Sequence, residues 1–276
     1  VANAICIFLI FLISTILFNK YVGFIASFLF AVSFEQTQFA MYFNHPSFAV
    51  ISILLMYLGL SILIFRKKDF GLIIALVGLG LSIQFEFILT YLFIPLIVIL
   101  LFFRKSIPRI NFKTLLLALI ALVFTISTFI IAEIKFSFRS AHLLPQLLFN
   151  GYSEKSLYRI ISTYLFEMGQ VIKFNLTGVS ELRIIIGLIS FMSFLLLLSS
   201  RVKKQIVFLG FWFFSVIIIY FVTGGEKLEV DIIQYHPNVG ISLSLIIFVS
   251  YLLYTIGKKS HWLITLILIM LISLGN

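Results

Sequence analysis

Charge is what this sequence has least of. Only 11% of its 276 residues are Asp, Glu, Lys or Arg, and 10 of them are acidic. A soluble domain carries about a quarter charged residues, so a water-facing globular surface is excluded. Cysteine is almost absent: Cys6 is alone and sits in an apolar run, which excludes an internal disulfide and a multi-cysteine metal site. No His/Cys/Asp/Glu group has metal-ligand spacing, no glycine-rich phosphate loop follows a strand, and no nucleophile motif occurs. Repeats and low-complexity tracts are also missing. The chain opens on Val1 with no charged leader and no small-residue cleavage site, so its first apolar run does not read as a signal peptide. A fragment is expected, with at least one segment upstream.

Apolar residues are present in excess. They make up 62% of the chain, which has 33 phenylalanines and a mean hydropathy of +1.20. No single globular core covers that much apolar surface, and lipid must solvate much of it. The expected fold class is all-α, a polytopic transmembrane bundle of about ten helices forming one membrane domain over residues 1–276. The ten apolar runs are 3–18, 21–33, 47–65, 70–84, 88–103, 114–133, 183–200, 205–223, 241–256 and 262–274. A full crossing of roughly 30 Å takes about 20 helical residues, fewer where the bilayer thins. Pro95 falls within an apolar run, where neighbouring helices tolerate a kink.

The 20 basic residues are placed unevenly. Taken alternately, one set of connections holds Lys20, Arg66, Lys67, Lys68, Arg104, Lys105, Arg109, Lys113, Arg201, Lys203, Lys204, Lys258 and Lys259 against one acid, Asp69. The other set balances acids and bases. By the positive-inside rule the first set is cytoplasmic, which places the amino terminus outside; the membrane is expected to be the plasma (inner) membrane. On the outer side, the segment 134–182 contains Leu157, Ile160, Ile161, Tyr164, Leu165, Met168 and Ile172 at helical spacing, with Arg159, Thr163, Glu167 and Gln170 elsewhere around the wheel. This pattern predicts an amphipathic helix lying in the interface.

Candidate binding residues emerge on the same side. Glu35, Gln36 and Gln38 lead into Asn44-His45-Pro46. That stretch reads either as a helix-start loop with Pro46 in the first turn or as a polar site with apolar flanks. Glu86 lies between two apolar runs, as a solvated turn or as a polar group facing a cavity. His236, in Tyr235-His236-Pro237-Asn238, has the chemistry to bind a phosphate or hydroxyl or to exchange a proton near neutral pH. Arg139 and Arg159 suit a phosphate held by paired hydrogen bonds, or lipid headgroups.

Three stretches carry a family resemblance. Gly23 to Ser33, with the loop through Phe43-Asn44-His45-Pro46-Ser47, is similar to a small-residue helix followed by an outer Asn-Pro-Ser element, here interrupted by His45. The stretch Ala75 to Glu86 resembles a glycine-spaced helix entering a polar turn, with Glu86 where many members carry His. Gln234-Tyr235-His236-Pro237 looks like a late outer loop, and 134–182 like a large central one. In this order the features resemble the GT-C superfamily of membrane glycosyltransferases, in the bacterial branch similar to protein mannosyltransferases and aminoarabinose transferases. The resemblance implies transfer of a sugar from a polyprenyl-phosphate donor to an acceptor on the extracytoplasmic face, in the cell envelope. It implies a catalytic acidic residue in a first outer loop, expected upstream of Val1. Glu35, Asn44, His45, Glu86 and His236 then line a cavity for donor or acceptor. No cofactor is called for, a divalent metal is left open, and the partners are the lipid donor and membrane lipid, with no nucleic acid. Two alternatives stand beside it: a transporter or flippase for a lipid-linked saccharide, and a catalytically inactive membrane subunit.

Overall fold

The computed structural model describes residues 2–41, 45–138, 157–177, 182–198, 200–223 and 238–275, without the side chains of 2, 39–41, 45–47, 182, 183 and 222–223. Every described element is helical, and each of the ten apolar runs is occupied by helix. In chain order these are α1 (Ala2–Leu17), α2 (Lys20–Val32), α3 (Phe34–Met41), α4 (His45–Phe65) and α5 (Gly71–Phe85). A 3-10 turn (Phe87–Leu92) then leads into α6 (Phe93–Phe102), α7 (Phe112–Thr125) and α8 (Ser127–Lys135). After these come α9 (Leu157–Ile172), a π segment (Lys173–Thr177), α10 (Leu182–Leu197), α11 (Lys203–Phe214), α12 (Ile217–Thr223), α13 (Ile241–Lys259) and α14 (Trp262–Gly275).

Length divides these helices. Phe48–Phe65, Lys203–Phe221 and Ile241–Lys259 are each long and apolar enough to cross a bilayer. The pair α7 and α8 makes a fourth if its 54° bend is kept within one span. The remaining apolar helices have 10–17 residues. At 1.5 Å per residue even 17 residues reach only about 25 Å, which is why the sequence count of about ten exceeds the number long enough to span unaided.

Local sequence explains several boundaries. Asn19 caps α2 by accepting from the Tyr21 and Val22 amides at 2.9 and 3.1 Å, and Asn111 caps α7 by accepting from Lys113. The expected kink at Pro95 does not occur within a helix. Pro95 lies in the first turn of α6, where its missing N–H costs nothing, and the irregularity falls upstream in the 3-10 turn. The α7–α8 bend at Ile126 has no proline. There the Thr125 hydroxyl donates to the Ala121 and Leu122 carbonyls at 3.0 and 2.8 Å, perturbing the helical ladder.

The core centres on α4 and α13. α4 packs on α5 and α1, and α13 packs on α2, α11 and α14. Between hydrocarbon-facing helices, association rests on close van der Waals approach rather than on escape from water. The α4–α5 seam shows it: Gly71, Ala75, Gly78 and Ser82 recur along one face of α5. A Cβ on Gly71 would lie 2.6 Å from the Gly59 carbonyl of α4, and the Ser82 hydroxyl donates to that of Ser52 at 2.9 Å. Tyr57 of α4 stacks on Trp212 of α11 with centroids 3.8 Å apart. The peripheral helices are the converse. α7 buries only Ala118 and α14 only Thr265, leaving rings of Leu, Ile and Phe exposed for lipid.

The helix predicted between Leu157 and Ile172 forms, with a wider apolar surface than the wheel suggested. Ile160, Tyr164, Met168, Val171 and Ile172 pack inward together with Thr163, while Leu157, Ile161 and Leu165 form a second, exposed ridge.

Candidate functional site

A polar knot joins α3, the π segment and α13. Glu35 lies in the first turn of the short helix α3, on a connection too polar to be part of a span. The Asn175 amide donates to Glu35 Oε2 at 2.8 Å and to the Val171 carbonyl at 2.9 Å. Gln36 Nε2 donates to Glu35 Oε2 and to Ser242 Oγ, both at 3.2 Å, and the Ser33 hydroxyl donates to Asn175 Oδ1 at 2.7 Å. The Asn3 amide closes the group from α1 by donating to the Gln36 carbonyl at 2.9 Å. Phe34 stacks on Phe174 alongside, with centroids 5.9 Å apart.

The electrostatics of this knot are unusual for a carboxyl. Ser33, Gln36, Asn175 and Ser242 are fully buried, and the partners of Glu35 among the described residues are amides and hydroxyls rather than cations. Burial pushes the Glu35 carboxyl above its ordinary value of 4.5. The hydrogen bonds from Asn175, Ser242 and Gln36 offset part of that rise. Among the described residues Gln36 Oε1 is buried without a partner.

An apolar cavity of about 690 Å³ begins within one helical turn of the knot. Its walls come from α9, α10, α11 and α13 and include Tyr164, Met168, Ile172, Phe191, Phe213 and Phe248. Asn175 is tied to Val171, the neighbour of cavity residue Ile172, and Ser242 precedes cavity residues Ser244 and Leu245 by less than a turn. The Tyr164 hydroxyl is buried with no partner among the described residues in this apolar setting, and burial raises its pKa. Tyr164 meets Tyr220 edge-on at 5.7 Å, and the Tyr220 hydroxyl donates to Asn238 at 3.3 Å. An apolar cavity whose lining includes the hydroxyl-bearing Tyr164, Ser190 and Ser244 is suited to an amphiphile.

The residues expected from sequence are distributed as follows. Glu35 is in the knot. Glu86 caps α5 in extended conformation, its amide bonded to the Ser82 carbonyl at 2.9 Å, and opens the 3-10 turn. Arg159 is exposed in the first turn of α9. His45 begins α4, but its side chain is outside the described residues, as are Asn44, Arg139 and His236 altogether. Sequence reasoning passed over Asn175, whose only local signal is the triplet Asn175-Leu176-Thr177. Its full burial leaves it no exposure as a glycosylation acceptor. Ser33 was read only as the end of a small-residue helix, and Ser242 and Asn3 carried no signal at all. Among the described residues no group of His, Cys, Asp and Glu is arranged to hold a metal.

The fold and its apolar surfaces define an integral membrane protein of all-helical build. Residues 1–131 match the model of the dolichyl-phosphate-mannose-protein mannosyltransferase family, a GT-C type, in agreement with the resemblance drawn from the sequence. The matched part runs from α1 into α8 and contains Glu35 and Glu86; Asn175 and the cavity lie beyond it. No curated protein and no solved structure matches the chain.

Proposed function

We propose that this protein is a multi-pass enzyme of the plasma membrane that moves a sugar from a polyprenyl-phosphate donor to an acceptor on the extracytoplasmic face. The observation that carries this reading is the family match over residues 1–131. The cavity supports it, because a lipid-linked donor needs an apolar channel for its chain beside hydrogen-bonding groups for its head. In this reading all ten apolar runs cross the bilayer, the shorter ones with local thinning or snorkelling of flanking residues. The exposed ridge Leu157, Ile161 and Leu165 lets α9 lie against lipid at the outer interface.

The roles follow from the chemistry of the side chains. The donor's isoprenoid chain occupies the space between α9, α10, α11 and α13, and Arg159 and Arg139 pair with its phosphate. Glu86, Asn44, His45 and His236 hydrogen-bond sugar or acceptor hydroxyls. Glu35, held by neutral partners, fixes the polar end of the chamber. In the full-length protein, Glu86→Gln, His236→Ala and Arg139→Ala each lower sugar transfer by tenfold or more with membrane insertion unchanged. Full transfer by all three variants contradicts this placement.

A further inference from the structure

Two basic connections meet at one corner of the bundle. Lys204 Nζ donates to Ser106 Oγ at 3.4 Å. Behind that contact, Phe102 packs on Phe211 and Phe103 on Phe208, with centroids 5.1 and 6.3 Å apart. These contacts place Arg104 and Lys105 beside Arg201, Lys203 and Lys204, all five of them exposed. Neither connection contains an acid. Asp69, the one acid among the basic connections, is engaged by the Thr114 hydroxyl at 2.8 Å. Next to the cations, α6 carries an apolar strip: Ile97, Leu101 and Phe102 are 51%, 65% and 60% exposed.

We propose that this corner binds an anionic glycerophospholipid. Its phosphate lies among the five cations and one acyl chain lies along the strip on α6. The charge is complementary, with five bases and no acid to repel a phosphate. The apolar strip beside them faces the hydrocarbon and gives an acyl chain a surface to lie along while its phosphate sits among the cations, a contact that a soluble anion cannot make. Clusters of this kind at the ends of spanning helices bind lipid headgroups. The inference rests only on embedding of the chain in a membrane and is independent of sugar transfer.

The test uses the purified full chain in detergent, given equal amounts of phosphatidylglycerol and phosphatidylcholine with identical acyl chains, with retained lipid read by native mass spectrometry. Wild type retains phosphatidylglycerol preferentially, and the preference falls as salt is raised. The triple variant R104Q/K105Q/K204Q weakens retention by roughly fivefold per cation, about a hundredfold in all. The variant R66Q/K67Q/K68Q removes the same charge from another connection and keeps the preference. Equal retention of the two lipids by wild type, or an equal loss in both triple variants, overturns a discrete site.

Discussion

Glu35 is a carboxyl whose described partners are neutral, and its behaviour follows from that. The usual surface carboxylate is stabilised by water or a cation, whereas here two amides and a hydroxyl supply the bonds and burial raises the pKa above 4.5. The sign of the pH effect is fixed by that direction. The unfolded chain ionises first as pH rises, so Glu35 lowers stability from about pH 4.5 upward, until the folded carboxyl also ionises and the loss levels off. The isostere Glu35→Gln keeps an acceptor for Asn175 and removes the titration, so thermal unfolding in detergent shows it as stable as wild type at pH 5 and more stable at pH 8. Glu35→Ala also removes the titration but leaves buried amide donors of Asn175 and Gln36 without an acceptor, which costs about 1–3 kcal/mol at pH 5 and less at pH 8. A Glu35→Gln variant less stable than wild type at pH 8 contradicts a neutral knot.

At the scale of elements, packing was only partly legible in the sequence. The ten apolar runs and the Leu157–Ile172 helix were readable because hydropathy and a period of 3.6 are properties of neighbouring residues. The knot was not, because Glu35 and Asn175 are 140 positions apart and Gln36 and Ser242 are 206 apart. No local pattern encodes which two loops will meet. Where the 88–103 run changes from 3-10 to α-helix was not legible for a related reason: an apolar run does not reveal where one hands over to the other. Two predictions belong here. A Cβ on Gly187 would meet only the tip of the Ile172 side chain, at 3.3 Å, on the cavity wall. Gly187→Leu therefore fills part of the cavity. It leaves unfolding temperature unchanged or higher, while raising KM for the lipid donor several-fold more than it lowers kcat. Gly78 is different, because a side chain there runs into the backbone of Met56 on α4. Gly78→Leu separates α4 from α5 and abolishes recovery of folded protein in size-exclusion chromatography.

For the whole molecule, the contacts between connections respect the alternation read from the charges. Asp69 bonds with Thr114 and Lys204 with Ser106 among the basic connections, while Glu35 bonds with Asn175 among the balanced ones. Gly275, at the far end of α14, sits against the Thr177 carbonyl of the π segment, as a helix leaving the basic end at Lys259 must. Single cysteines at Thr37 and Lys68, both exposed, in a background carrying Cys6→Ser, report this directly. In intact cells an impermeant maleimide labels Thr37→Cys and spares Lys68→Cys; the reverse pattern contradicts the orientation.

The measurement that bears most directly on the central claim is sugar transfer itself. The full-length protein is reconstituted in liposomes with a panel of radiolabelled polyprenyl-phosphate sugars and a membrane extract as acceptor source. The account predicts release of free polyprenyl phosphate with the label moved to acceptor, and a reduced rate for Gly187→Leu at low donor concentration. Movement of intact labelled donor between leaflets without cleavage, or no turnover of any donor by well-folded protein, would contradict it.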